Sequence, residues 1–255
     1  LPILPRDAGD RNRTSPFAFT GNRFEFRSVG AAQSVAGPVA ALNTMTADSL
    51  NWIANRLEVE LKGQKGDSAR RNAVQKIIVE IIEEHSAVIF NGDGYSEAWH
   101  QEAVTKRKLP HLPSCAEAIP VLIEQDVIEL FARNNVLSKL EMESRYEIYA
   151  EQYIKSVDVE AHLALQLFKT RIYPAAMEYI GRLSKSIESS EKVEVKLSRT
   201  TLNRIAARLQ EALALADELE REVGGEYSSL SEGMRHRRDV LLGLMEQLRM
   251  VVDQL

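Results

Sequence analysis

Two long runs of apolar residues near the end of the chain constrain its fold more than any other feature. In each run the apolar residues recur three and four positions apart, which places them on one face of a helix. Gly224 and Gly225 interrupt the pattern between the runs, so the sequence predicts an exposed antiparallel helical hairpin that is close to a coiled coil. The first run consists of Leu202, Ile205, Leu209, Ala212, Ala216, Leu219 and Val223, and the second of Leu241, Leu244, Leu248, Val251 and Leu255.

From residue 114 onward almost the whole chain has helical character. Ser114 with Glu117, and Ser138 with Glu141, have the spacing of a capping box, in which side chains satisfy free amides at a helix start. The proline-containing stretch 109–113 before them is typical of an extended linker. We therefore predict an all-helical extension over residues 114–255.

Residues 1–113 follow a different pattern. Phe17 and Phe19, and then Phe24 and Phe26, alternate with other residues around a Thr20-Gly21-Asn22 turn, which predicts a β-hairpin. Two amphipathic helices then follow, and the fold class is α+β, mostly α. The second helix is predicted to begin with Asp67 or Ser68 as its cap and to have an apolar face formed by Val74, Ile77, Ile78, Ile81, Ile82 and Val88.

Composition argues against several classes of function. The net charge of −5 and the pI of about 5.7 disfavour nucleic acid as a partner, since binding to phosphates needs a basic surface. No apolar run is long enough to cross a bilayer, and Cys115, the single cysteine, cannot form an internal disulfide, which favours the cytoplasm. Because the chain opens on Leu1 rather than Met and its apolar helical pattern continues to Leu255, we expect it to be a piece of a longer polypeptide.

Glu25 and Arg27 are the first candidates for chemistry. Side chains alternate along a strand, so these two share the face opposite Phe24 and Phe26, about 7 Å apart. A carboxylate can hold a divalent metal beside an anionic substrate that a guanidinium binds. The alternative is a surface ion pair of little consequence, and on the pair alone that alternative is favoured.

The surrounding residues favour the functional interpretation. The segments Arg11-Asn12-Arg13-Thr14-Ser15 and Phe24-Glu25-Phe26-Arg27 resemble a recurring element of the glutamine synthetase superfamily, in which an Asn-Arg-Ser segment precedes a strand with Glu-x-Arg. The run from Asp10 to Arg27 and the loop from Asn91 to His100 resemble the type III branch specifically. The resemblance is close over about residues 4–113 and looser beyond them.

The resemblance implies an activity and a set of site residues. Members of this family use ATP to phosphorylate the γ-carboxylate of glutamate, and ammonia then displaces phosphate to give glutamine. Mg²⁺ or Mn²⁺ ions assist the reaction, and by position Glu25 corresponds to a metal ligand. Arg27 and Arg13 correspond to catalytic and substrate-binding arginines that contact glutamate or phosphate. Charge neutralisation by carboxylate-held Mg²⁺ and arginine is what phosphoryl transfer requires.

The sequence also departs from the family pattern. Other branches carry a second arginine near the position of Ala18, and Arg23 on the facing strand is our candidate substitute for substrate binding. The other metal ligands of the family and its nucleotide-binding segment do not occur in these residues. We therefore expect this segment to supply only part of an active site and to be inactive alone.

The resemblance further implies an architecture and an assembly. Residues 1–113 would be the C-terminal part of the catalytic domain and residues 114–255 a helical extension that supports ring contacts. The family forms rings with active sites between neighbouring subunits, and type III members resemble double-ring dodecamers. Two alternatives stay open: another ligase or guanidino kinase of the superfamily, and a non-catalytic helical interaction module that has kept a decayed catalytic strand.

Overall fold

The protein is described here by a computed structural model that covers residues 17–19, 24–27, 34–90 and 92–255. Helices dominate this described part of the chain, as the sequence predicts. The chain divides into two compact units. The first unit comprises the described residues before residue 113 together with Gln125–Lys139, and the second comprises Pro113–Glu124 and Leu140–Leu255.

The first unit begins with two short strands, β1 (Phe17–Phe19) and β2 (Phe24–Phe26). They pair in antiparallel register, with Phe17 opposite Phe26 and Ala18 opposite Glu25. The rings of Phe17 and Phe24 stack with their centroids 4.7 Å apart, an arrangement that stabilises neighbouring strands. The predicted turn lies at residues 20–22, outside the described residues, so the complete hairpin stays a prediction.

Among the described residues, four helices make up most of the rest of the first unit. Helix α1 (Ala36–Leu61) packs against α2 (Asp67–Glu84) and against α5 (Gln125–Arg133). Helix α2 begins at Asp67, but Gly66 precedes it with a φ of 119° and neither predicted cap residue accepts a capping hydrogen bond. The ranges are α1 (Ala36–Leu61), α2 (Asp67–Glu84), α3 (Glu97–Thr105) and α5 (Gln125–Arg133), with a 3₁₀ turn at Ser86–Val88.

The predicted apolar face of α2 is only partly buried. Ile77 is 2% exposed and packs fully, whereas Ile78 and Ile82 are 43% and 50% exposed. Helix α1, the other predicted amphipathic helix, likewise leaves Leu50 exposed. The periodicity therefore identifies both helices correctly, but within the described residues it overstates how much of each face is covered.

The second unit consists almost entirely of helices. Its first helix starts with the predicted capping box, in which the Ser114 and Glu117 side chains satisfy amides at the helix start. A 3₁₀ segment at Ile119–Ile123 and π-helical segments at Phe168–Ile172 and Arg237–Leu241 join its helices. The ranges are α4 (Cys115–Ala118), α6 (Lys139–Leu167, of which Lys139 belongs to the first unit), α7 (Tyr173–Glu191), α8 (Thr200–Glu222), α9 (Leu230–His236) and α10 (Leu242–Val252).

Pro174 marks a change of helix geometry, as expected from its missing amide hydrogen. Helix α6 ends at Leu167 and passes into the π-helical segment Phe168–Ile172, after which α7 starts at Tyr173 with Pro174 in its first turn. Because Tyr173 still donates to the carbonyl oxygen of Phe168, the helix is continuous and Pro174 lacks the amide hydrogen that would bond to the preceding turn. The local widening of the helix therefore lets the chain continue past the proline.

The core of the second unit lies where α8 and α10 meet α6. The two apolar runs that the sequence singles out lie in this core: Ala212, Ala216, Leu219 and Leu241 are fully buried, and Leu244, Leu248 and Val251 nearly so. The expectation that these stripes are exposed is therefore wrong, because α6 contributes Val157, Ala161 and Leu165 to the same cluster. Burial of this kind is the main source of helix stability.

Candidate functional site

Strand β2 brings the two predicted side chains of the Glu-x-Arg motif together. Arg27 Nη2 donates a hydrogen bond to Glu25 Oε2 over 3.1 Å, which makes a direct ion pair. The side chain of Arg27 is 20% exposed and that of Glu25 is 33% exposed, so water reaches both groups only partly. The alternation of the strand accounts for this geometry, because Glu25 and Arg27 project from the same face.

The pair can take part in metal and anion binding but cannot complete a site. Mg²⁺ requires about six oxygen ligands in octahedral geometry, and Glu25 supplies one carboxylate. Within the described ranges of the chain, no group of three or more His, Cys, Asp or Glu side chains could hold a metal ion. The described residues therefore fit a divalent ion only as a contributor of one ligand, with Arg27 beside it as a donor to an anionic group.

Two further predicted site residues lie outside the part of the chain that the structure describes. The first is Arg13, which the resemblance assigns to phosphate contact. The second is Arg23, our candidate substitute for the arginine that other branches carry near the position of Ala18. Their positions relative to Glu25 and Arg27 are thus untested. Phe24, which precedes Glu25 on the strand, is 51% exposed.

Arg107 organises the segment around the predicted Asn91–His100 loop, and the sequence analysis missed it. Its Nη1 donates to the carbonyl oxygens of Ala87 and Ile89 over 3.1 and 2.7 Å. Its guanidinium lies 4.8 Å from the ring centre of Trp99, and the rings of Trp99 and Phe90 stack at 3.9 Å. Arg107 therefore fastens the chain immediately before the loop to the helix that follows it.

Hydrogen bonds at the start of α3 also hold this loop in place. The Ser96 side chain accepts a hydrogen bond from the Trp99 amide and so caps the start of α3. Asp93 Oδ1 accepts from the Tyr95 amide over 3.0 Å and so shapes the turn before the cap. The acceptors of Arg107 are backbone carbonyl groups, which leave no pattern in a sequence, so the sequence alone does not indicate the role of Arg107.

A buried polar network occurs in the second unit. Arg237 is 3% exposed, and its Nε and Nη2 donate to the two carboxylate oxygens of Asp158 over 3.0 and 2.9 Å. Its guanidinium carbon lies 4.5 Å from the ring centre of Tyr227, and burial raises the pKa of that tyrosine. Tyr227 Oη and His236 Nδ1 are 2.6 Å apart, and His236 Nε2 lies 2.9 Å from Glu222. These contacts brace the connection from α8 to α9.

Known proteins resemble the chain over most of its length. Residues 73–191 match the glutamine synthetase C-terminal domain. The chain is 44% identical over 189 residues to the type-3 glutamine synthetase of Dictyostelium discoideum, a match that covers 74% of this chain and 25% of that protein. It is 32% identical over 257 residues to a glutamine synthetase of Butyrivibrio fibrisolvens, which covers 98% of this chain and 35% of that protein.

A third relative completes the comparison. The chain is 29% identical over 265 residues to a glutamine synthetase of Bacteroides fragilis (strain YCH46), and the match covers 36% of that protein. The chain thus spans between about a quarter and about a third of the length of these relatives. None of the described helices is long and apolar enough to cross a membrane. On these similarities, residues 73–191 match the C-terminal domain of glutamine synthetases, and the chain is similar to glutamine synthetases that include a type-3 enzyme.

Proposed function

We propose that the protein containing this chain joins ammonia to glutamate in an ATP-dependent reaction that passes through γ-glutamyl phosphate. The observation that carries the proposal is the 44% identity to a type-3 glutamine synthetase over 189 residues. In this proposal glutamate, ammonia and ATP are the substrates, and the protein acts in the cytoplasm as a ring-shaped homo-oligomer, a dodecamer by resemblance to the type III branch. Neither a nucleic acid nor a membrane takes part.

Within that reaction we assign Glu25 as a metal ligand and Arg27 as the arginine that contacts glutamate or the transferring phosphoryl group. Support comes from their position: both project from one face of β2 and they are in contact at 3.1 Å. A bound Mg²⁺ or Mn²⁺ ion would supply charge neutralisation at the phosphate oxygens. Engagement of Glu25 by such a cation would free the Arg27 guanidinium to donate to an anionic substrate group.

Arg13 and Arg23 complete the proposed set by their sequence positions. Arg13, from the Asn-Arg-Ser segment, would contact phosphate, and Arg23 would bind substrate from the facing strand. Several guanidinium groups around one phosphoryl group are expected, because the transition state spreads negative charge over the equatorial oxygens. We propose that residues 1–113 are the C-terminal part of the catalytic domain, that they supply only this portion of the site, and that this segment alone is inactive.

The test is glutamine formation by the full-length protein, with ATP, ammonia and Mg²⁺ or Mn²⁺, beside its Glu25→Ala variant. We expect near-complete loss of activity in the variant, with partial recovery at high metal concentration, since one ligand of the ion is missing. Glu218→Ala, which removes an exposed carboxylate in α8, is the matched control and should remain fully active. Absence of activity in a folded, assembled parent would instead favour the non-catalytic helical module.

The arginine assignment needs a separate measurement. Arg27→Lys keeps the positive charge but loses the planar arrangement of donors, so we expect kcat to fall by about 100-fold or more, the order found when one transition-state donor is removed. If only the affinity for glutamate fell and kcat stayed unchanged, Arg27 would bind the substrate without stabilising the transition state. If the variant were as active as the parent, Arg27 would have no role in the site.

A further inference from the structure

We draw no further inference here: the strongest candidate, the set of apolar side chains that α1 and α2 leave exposed in the first unit, among them Leu50, Ile78 and Ile82, carries none because nothing in the described part of the chain shows what covers them.

Discussion

The two units of the chain have similar helical periodicity but very different cores. In the second unit Met142, Leu219, Met234 and Leu241 are fully buried. In the first unit α1 and α2 pair, yet Leu50, Ile82 and Val88 are half exposed or more. Periodicity therefore indicates that a helix will form, whereas the degree of burial depends on what other elements the chain supplies to cover each face.

Polar interactions follow the same division. The second unit contains a buried pair, Arg237 with Asp158, whose arginine is 3% exposed. The first unit joins its helices by ion pairs near the surface, such as Arg133 with Asp48 and Arg56 with Glu80. Surface pairs contribute little each, while breaking a buried pair is costly. We therefore expect the second unit to be the more stable part of the chain.

Replacement of one core leucine should give the largest effect and tests this comparison directly. Leu241→Ala, at a fully buried position, should lower the free energy of unfolding by about 2–5 kcal/mol, because it leaves a cavity. Ile82→Ala, at a position that is 50% exposed, should cost about 0.5 kcal/mol or less. Urea denaturation followed by circular dichroism measures both. If both substitutions lowered the free energy of unfolding equally, the face of α2 that carries Ile82 would have to be covered. The two units would then not differ in how well their helices are buried.

Removal of the acid from the buried pair should be the next largest effect. Asp158→Ala leaves the guanidinium of Arg237 buried without its carboxylate, and we expect a loss of about 3 kcal/mol. The matched control is Glu188→Ala, which breaks an exposed pair with Lys192 and should cost about 0.5 kcal/mol or less. The double variant Asp158→Leu with Arg237→Met should recover most of the stability, because no unpaired charge remains buried. A single variant as stable as the parent would show that water reaches Arg237.

The sequence predicts the helical elements well because their signals are local. The capping box at Ser114 depends on residues within one turn of each other, and the structure confirms it. The partner of an apolar stripe is not a local property. For this reason the runs around Leu219 and Leu241 were identified as helices while their burial against α6 was not.

In the candidate site, too, the sequence predicts contacts between neighbouring residues but not contacts between distant ones. That Glu25 and Arg27 project together follows from strand alternation, and their contact at 3.1 Å agrees with it. Arg107 was missed because its acceptors, Ala87 and Ile89, are backbone carbonyls about twenty positions away, and backbone acceptors leave no signal in a sequence. The roles of Arg13 and Arg23 rest on family resemblance and stay predictions.

Loss of Arg107 should have a smaller effect that is confined to the first unit. Arg107→Ala removes two hydrogen bonds to backbone carbonyls and the contact with Trp99, so we expect a loss of about 1–2 kcal/mol. Trp99 fluorescence, measured in a Trp52→Phe background, should shift to longer wavelength as water reaches the ring. Arg70→Ala, on exposed α2 surface, should leave the emission unchanged. An unchanged emission in Arg107→Ala would show that Phe90 alone holds the ring.

The smallest expected effect is a pH dependence at the contact between α1 and α5. Arg133 donates to both carboxylate oxygens of Asp48 at 2.7 Å, and Asn134 donates to one of them at 2.9 Å. These hydrogen bonds lower the pKa of Asp48 from 3.8 to about 2. Because the pKa is lower in the folded chain than in the unfolded chain, the contact stabilises the fold above about pH 4 and is lost as the pH falls through about 2.

Hydrogen exchange of the α5 amides in the parent and in Asp48→Asn separates this effect from general acid denaturation. At pH 4 we expect faster exchange in the variant, since its side chain has no charge to accept the Arg133 bonds. At pH 2 the difference should shrink, because the parent carboxyl is then about half protonated. Other carboxylates titrate alike in both proteins, so their contributions cancel in the comparison. A difference between the two proteins that does not change with pH would show that Asp48 is not the group responsible, and the first unit would then rely on packing for the α1–α5 contact.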